Sequence, residues 1–265
     1  MAEFWRSRAL PHLEARRSCQ ENPCYRPHAH DAFSVGLIDE GRSVLSGCLD
    51  GPVRLQPGDV VVIPAGQVHA CNPEHGAWRY QMVHMDQGWA LALTGQEPCS
   101  ALFVGISVLR RHDLRSRIVE MTDAIFADET RPRIEATIAA MLHELEAVPP
   151  ARLVVTDLTD AASQLLTRLF PVMERLRLDE SNPALSELAG LAGMSTFQLV
   201  RAMRRATGLS PLAWRQNARI VQARHLLRDG HPIAETAQVL GFADQSHFHR
   251  VFRTHVGATP GVYRG

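Results

Sequence analysis

One helix–turn–helix pattern is written twice in this chain, within residues 187–264, and no other feature limits the possible folds so tightly. In the first copy Ala189 stands four residues before Gly193; in the second Ala237 stands four before Gly241. Beyond each glycine, Leu199, Arg201, Met203, Gly208 and Pro211 recur as Phe248, Arg250, Phe252, Gly257 and Pro260 at a constant offset of 49. A small residue on the first helix and a glycine in the turn let two short helices cross closely, as a DNA-reading unit requires. Two such units in tandem imply two recognition helices entering successive major-groove segments. Short amphipathic helices with merely solvated charges are the blander account, and two copies in register count against it.

The local signals agree. Ser186 is placed to cap a helix over 187–192, Gly193-Met194 to form the turn, and Ser195 to cap a second helix that Gly208 stops. In that second helix Phe197, Leu199, Val200 and Met203 fall on the buried side, leaving Thr196, Gln198, Arg201, Arg204 and Arg205 outward. Ser210-Pro211 opens a long helix reaching Leu227 and ending near Gly230. The second unit starts at Pro232 and turns at Gly241-Phe242. From Asp244 its second helix carries Gln245, Ser246, His247, His249, Arg250 and Arg253 outward, with Phe248, Val251 and Phe252 inward.

The run Gly241-Phe-Ala-Asp-Gln-Ser-His-Phe-His-Arg-Val-Phe-Arg253, followed by Gly257-Ala-Thr-Pro260 and Tyr263-Arg264, closely resembles the signature of the AraC/XylS transcription regulators. The resemblance covers 182–264. It implies a seven-helix domain in which the long helix joins the two units, with double-stranded promoter DNA as partner. It places base-reading positions on Phe197, Val200 and Arg201, and on Gln245, Ser246, His247 and Arg250. Phe197 and Val200 have no donor to offer a base, so their reading is confined to apolar contact such as a thymine methyl. Phe197 fits equally as core.

The formal net charge is zero, which fits a DNA-binding chain only once the chain is divided. Residues 1–178 hold 18 Arg against 22 acidic residues; 179–265 hold 10 Arg against 6, together with five His. That asymmetry suits a DNA-facing part joined to one that faces something else. Every basic residue is Arg, a bias that points to base composition of the genome rather than to phosphate recognition.

The first 95 residues read as short strands at 32–38, 44–49, 53–55, 60–63 and 79–85, separated by turn signals at Asp39-Glu40-Gly41, Pro57-Gly58-Asp59 and Pro64-Ala65-Gly66. Such spacing predicts a barrel or jelly roll. Gly58, Pro64, Gly66 and His69 stand at the spacing of the second cupin motif, with Asn72 one residue early, and His28-x-His30 followed by Gly41 matches the first. This part is similar to the cupins that serve as sensors among AraC-type regulators. The resemblance implies a mouth lined by His28, His30, Ser34 and His69, with two readings open: an organic effector, or a divalent metal (Zn or Fe) on His28, His30 and His69. Ser34 stands where metal-binding cupins carry glutamate, which removes a ligand and a possible base. A purely structural role for these histidines is the third reading.

Between the two parts, apolar stripes at 114–126, 133–147 and 154–178 predict three helices, with Pro149-Pro150 separating the last two and Pro171 ending or kinking the third. Their stripes serve packing on the barrel, on each other, or across a homodimer, as in the relatives. The expected organisation is α+β and multidomain: a cupin-like barrel over 1–95, a helical linker or dimerisation region over 96–178, and an all-α double helix–turn–helix domain over 179–265. No long apolar run begins the chain, and Cys19, Cys24, Cys48, Cys71 and Cys99 are odd in number without paired spacing, so reduced thiols and a cytoplasmic location without membrane attachment are expected. The expected activity is regulatory and not enzymatic, with a small-molecule effector such as an amino acid. A metal-dependent cupin enzyme with an accessory DNA domain, and a metal-sensing regulator, are the rival readings.

Overall fold

The computed structural model describes residues 2–21, 25–47, 51–95, 100–155, 160–179 and 182–265. They fall into two compact units, Met1–Pro23 with Ala29–Thr156, and Cys24–His28 with Asp157–Gly265.

The first unit runs β1 (Ala2–Ser7), β2 (Leu10–Gln20), β3 (Phe33–Glu40), β4 (Ser43–Ser46), β5 (Val53–Leu55), β6 (Val60–Ile63), β7 (Ala70–Pro73), β8 (Trp78–Met85), α1 (Gln87–Thr94), α2 (Ala101–Val104), β9 (Gly105–Leu109), α3 (His112–Phe126), α4 (Arg131–Glu146) and β10 (Arg152–Val155). Two antiparallel sheets result, ordered β1-β2-β8-β3-β6-β9-β10 and β5-β4-β7. The strands expected at 53–55 and 60–63 form as expected, and those near 32–38 and 79–85 form as β3 and β8. The strand expected at 44–49 ends at Ser46, and 48–50 lie outside the described residues. β1, β2, β7, β9 and β10 are additions to the expected set. Charged residues in β1 and β2 mask their alternation, β9 falls in the stretch before the first expected helix, and β10 overlaps only the start of the third.

Alternation along the large sheet sorts its side chains into two layers. Leu13, Ala15, Phe33, Val35, Val60, Val62, Val83 and Met85 join one core with Leu114, Ile118, Met121 and Ile125 of α3 and Ile134, Ile138, Met141, Leu142 and Leu145 of α4. On the other face Ile38, Val61, Ile63, Trp78 and Tyr80 pack with Leu45 and Leu55 of the small sheet. The stripes of α3 and α4 are therefore spent on the sheet. Their remaining surface is charged and joined by ion pairs such as Arg117 to Glu144 (2.6 Å) and Arg133 to Glu120 (2.9 Å).

The second unit is helical: α5 (Asp160–Leu178), α6 (Leu185–Leu191), α7 (Thr196–Thr207), α8 (Pro211–Arg228), α9 (Ile233–Val239), α10 (Gln245–Val256) and α11 (Pro260–Arg264). α5 belongs here by its packing. Its Leu169, Val172 and Leu176 share one core with Leu188, Ala189 and Ala192 around α6 and with Leu199 and Met203 of α7. The boundary therefore falls before Asp157, not at the 179 expected from composition, and the region expected over 96–178 divides between the units. Composition places the break too late because the exposed side of α5 is acidic as well as basic, while its packing partner is apolar. Two local expectations also change. α5 runs through Pro171 as one helix, with buried side chains on both sides of it holding the turn. α6 begins one residue before Ser186, with Ala184 at the cap and no side-chain bond there. Among the described residues no helix is long and apolar enough to cross a membrane.

Candidate functional site

The two helix–turn–helix units share one backbone construction. Gly193 (φ 60°) and Gly241 (φ 66°) take the left-handed conformation that ends a helix without a Cβ penalty. In each copy the residue after the glycine donates back to the repeated alanine: Met194 N to Ala189 O at 2.9 Å, Phe242 N to Ala237 O at 3.0 Å. Both second helices are then capped. Ser195 Oγ accepts from Gln198 N (3.2 Å) while Gln198 Oε1 accepts from Ser195 N (2.8 Å), a reciprocal pair; in the second copy Asp244 accepts from His247 N at 2.6 Å.

On α7, Thr196, Gln198, Arg201, Arg204 and Arg205 are exposed and Val200 is half-buried. Phe197 is 69 % exposed, with the Arg201 guanidinium 5.5 Å from its ring centroid, so it forms no part of the core. On α10, Gln245, Ser246, Arg250 and Arg253 are exposed. His247 is half-buried, its ring edge-on to Phe242 at 5.6 Å. His249, expected outward, is half-buried too, its Nε2 sealed from solvent without a hydrogen-bond partner and its ring edge-on to Phe248 at 6.2 Å. Counting charges also overstates the DNA-facing surface. Arg215 (4 % exposed) donates to Asp179 O at 3.3 Å and to Asn182, and Arg224 (7 %) donates from Nε to Tyr263 Oη at 3.2 Å, so both serve the scaffold of α8.

His28 closes the short segment counted with this second unit. Its Nδ1 lies 2.8 Å from Arg26 O, its ring stacks on Tyr25 (5.7 Å) and meets His255 edge-on (6.3 Å), and Arg26 N donates to Thr254 O at 2.8 Å.

In the first unit the remaining expected residues come together. The rings of His30 and His69 have centroids 5.0 Å apart, and His84, from β8, lies 4.7 Å from His30. Ser34 is fully buried, and its Oγ is 2.8 Å from His84 Nδ1. His69 Nδ1 lies 2.9 Å from Gln67 O, and burial pushes its pKa down to about 4. It is therefore neutral at pH 7, with Nδ1–H on the carbonyl.

Register extends this group across the sheet. Arg6 pairs with Glu14, Glu14 with His84, His84 with Ser34 and Ser34 with Ile63, so one ladder on one face crosses five strands. The next inner ladder places Phe4, Arg16, Met82, Gly36 and Val61 side by side. Glu14 (2 % exposed) accepts from Arg6 Nε at 2.9 Å. Arg16 (6 % exposed) lies 5.3 Å from the ring centroids of both Phe4 and Tyr80 and donates to Ser18 Oγ at 3.0 Å. Sequence reasoning misses Glu14, Arg16 and Ser18. Their alternation with Leu13 and Ala15 is the available signal, but polar residues on one strand face ordinarily meet water.

For a divalent cation, the first unit by itself supplies His30 and His69 of the three imidazoles expected, and at Ser34 a hydroxyl engaged with His84 in place of a carboxylate. A separate groove of about 670 Å³, with Arg54, Glu74, Arg110 and Arg152 in its wall, shares no residue with this group. Two of its arginines already face carboxylates, Arg54 to Glu74 at 2.8 Å and Arg110 to Asp59 at 3.4 Å, so the imidazole group is the better candidate for ligand recognition.

Comparison with known proteins covers both units. Residues 188–265 match the family model of a helix-turn-helix domain, and residues 10–148 match that of an AraC-like ligand binding domain. The HTH-type transcriptional regulator YbfI of Bacillus subtilis is 26 % identical over 242 residues, covering 89 % of this chain and 86 % of that protein. The arabinose operon regulatory protein of Escherichia coli is 27 % identical over 260 residues, 90 % of this chain and 82 % of that one. Among solved structures, ToxT of Vibrio cholerae with a bound unsaturated fatty acid shares the fold at a TM-score of 0.56 and 12 % identity, over 95 % of this chain and 94 % of that one.

Proposed function

Because this chain belongs to the AraC family of transcriptional regulators, with an N-terminal ligand-binding domain and a C-terminal DNA-binding domain, we propose that α7 and α10 read successive major-groove segments and that an organic effector binds on the inner face of the large sheet. The reading assigns base contacts to Phe197, Val200, Arg201, Gln245, Ser246, His247 and Arg250, and backbone contacts to Arg204, Arg205 and Arg253. The effector meets Ser34, His30, His69 and His84, with Glu14 and Arg16 beside them on the same face. One observation carries this: a ladder of buried polar side chains, Glu14–His84–Ser34, inside a sheet whose other face packs apolar side chains against α3 and α4. Burying such groups is costly unless they are well bonded, and a ligand surface is a reason to keep them there. The fatty acid bound by ToxT makes an organic effector the favoured class over a metal. Regulation then requires the effector to favour one arrangement of the protein over another.

The test pairs footprinting with a metabolite panel that includes amino acids and organic acids. Arg201→Ala and Arg250→Ala should each weaken specific binding by ~1–3 kcal/mol and relax preference at one base position. His69→Ala and His84→Ala should abolish the response to whichever metabolite shifts the wild type, while leaving binding without effector intact. Stoichiometric metal by elemental analysis, lost together with regulation in these variants, would replace the organic reading by a metal-sensing one. Unchanged protection in both arginine variants would end the base-reading assignment.

A further inference from the structure

The repeat extends further than the two-helix pattern. Each helix–turn–helix unit follows a long helix, and each long helix sends one arginine onto the turn glycine. From α5, Arg168 donates through Nε to Ala192 O and through Nη2 to Gly193 O, both at 2.7 Å. From α8, Arg219 donates through Nη1 to Gly241 O at 3.0 Å, with its guanidinium 5.8 Å from the Phe242 ring centroid. Gly193 and Gly241 are equivalent positions of the repeat, so the same bond has been built twice from different parts of the chain.

The carbonyls at the end of a helix lack intrahelical partners and carry the negative end of its dipole, which a cation satisfies. These carbonyls also sit in the turn that sets how the second helix leaves the first. We propose that Arg168 and Arg219 are positioning residues for DNA reading: each ties its turn to the preceding long helix and thereby fixes the angle of α7 or α10. The repeating module is accordingly three helices, α5–α6–α7 and α8–α9–α10. A rigidly held recognition helix keeps its side chains in register with base edges, whereas a loosened one keeps its charge but loses its register. The fork of Arg168 reaches two carbonyls at once, so a lysine, with its single ammonium, should replace it poorly.

This inference rests on α7 and α10 being the reading helices, and the experiment separates the two. Full-length protein first selects a duplex from random sequence, and hydroxyl-radical footprints are then taken across a salt series. Arg168→Ala should lower specific affinity about ten- to a hundred-fold, with protection lost over the segment that Arg201→Ala also affects and kept over the other. Arg219→Ala should show the mirror image, over the segment affected by Arg250→Ala. In both, the slope of log affinity against log salt should stay as in the wild type, because no phosphate contact is removed. Arg168→Lys is expected to recover little of the loss. Where an alanine variant fails to melt cooperatively, Arg168→Gln or Arg219→Gln, which keep the stem, decide by the same footprint. A slope reduced by about one would make these residues phosphate contacts and overturn the proposal. Equal weakening of both segments, or unchanged footprints, would overturn it as well. A wild type that selects no sequence would instead sink the reading on which the proposal stands.

Discussion

The two helix–turn–helix units share a backbone and differ in almost everything attached to it. The first has an aliphatic core, Leu188, Leu199 and Met203, completed by Leu169, Val172 and Leu176 from α5. The second is built on aromatic rings: Phe248 lies 5.0 Å from Phe242 and 5.5 Å from Phe252, which in turn lies 5.4 Å from Tyr263. Their outward faces differ as well. The first turn of α7 sets an exposed phenyl ring, Phe197, between Thr196 and Gln198 and under an arginine, whereas the first turn of α10 offers Gln245 and Ser246 and carries no phenyl ring outward. One scaffold can thus be held by two cores and carry two chemistries. What the duplication preserves is the glycine turn, the small alanine, the cap and the arginine tie onto the turn, which set helix geometry, together with the outward arginine at Arg201 and Arg250.

Truncation should separate the units most strongly. A fragment starting at Asp157 should fold in full, whereas one starting at Glu180 lacks three buried side chains worth about 1.5–3 kcal/mol each. Hydrogen exchange on the shorter fragment should then find α6 and α7 unprotected and α9 and α10 protected; equal protection of both would dissolve the contrast. Core truncation comes next. Phe248→Ala should cost about 3–5 kcal/mol and Leu199→Ala about 2–5, each measured by urea denaturation and each loosening its own unit first. Smaller still, Ser195→Ala and Asp244→Ala should each cost about 1 kcal/mol. The Ser195 variant should lose less if the reciprocal Gln198 bond survives, a difference visible in helix melting. The mildest effect is with pH. Burial, above all, holds the pKa of His255 below its ordinary 6.5, with Arg26 lowering it further against an opposing bond to Val251 O. Its neutral form belongs to the folded state, so stability is full above pH 6.5 and declines as pH falls below it, where the unfolded chain takes up the proton first. Ala206 stands at the matching place in the first unit. Acidification should therefore loosen α10 before α7, and His255→Gln should remove that difference in proton-dependent exchange.

The helical half is the more legible in sequence. Its turns, caps and stops are local: Gly193, Ser195, Gly208, Pro211, Asp244 and Gly257 each act on neighbours within a turn of chain. Phe197 is ambiguous because periodicity places it on the apolar edge of α7, and only the packed structure shows that its ring stays exposed. In the sheet, turn glycines and β-branched runs reveal β3, β5, β6 and β8, while β1 and β2 depend on partners distant in sequence. Glu14 and Arg16 cannot be placed inside without knowing that a second sheet covers their face. His84 is visible as a nearby histidine, and its pairing with Ser34 follows only from the register between β3 and β8.

The two faces of the large sheet also bear on how such a protein changes over time. Residues 13, 15, 83 and 85 hold α3 and α4, while their neighbours 14, 16, 82 and 84 look toward the ladder of polar groups. Adjacent codons thus answer to separate demands, one for helix packing and the next for polar pairing on the opposite face. On the proposed reading of the effector face, a lineage can substitute even-numbered positions of β2 and β8 to acquire a new signal while the odd-numbered ones go on supporting the same architecture. Diversity of effectors is what such a division of one sheet makes easy to evolve.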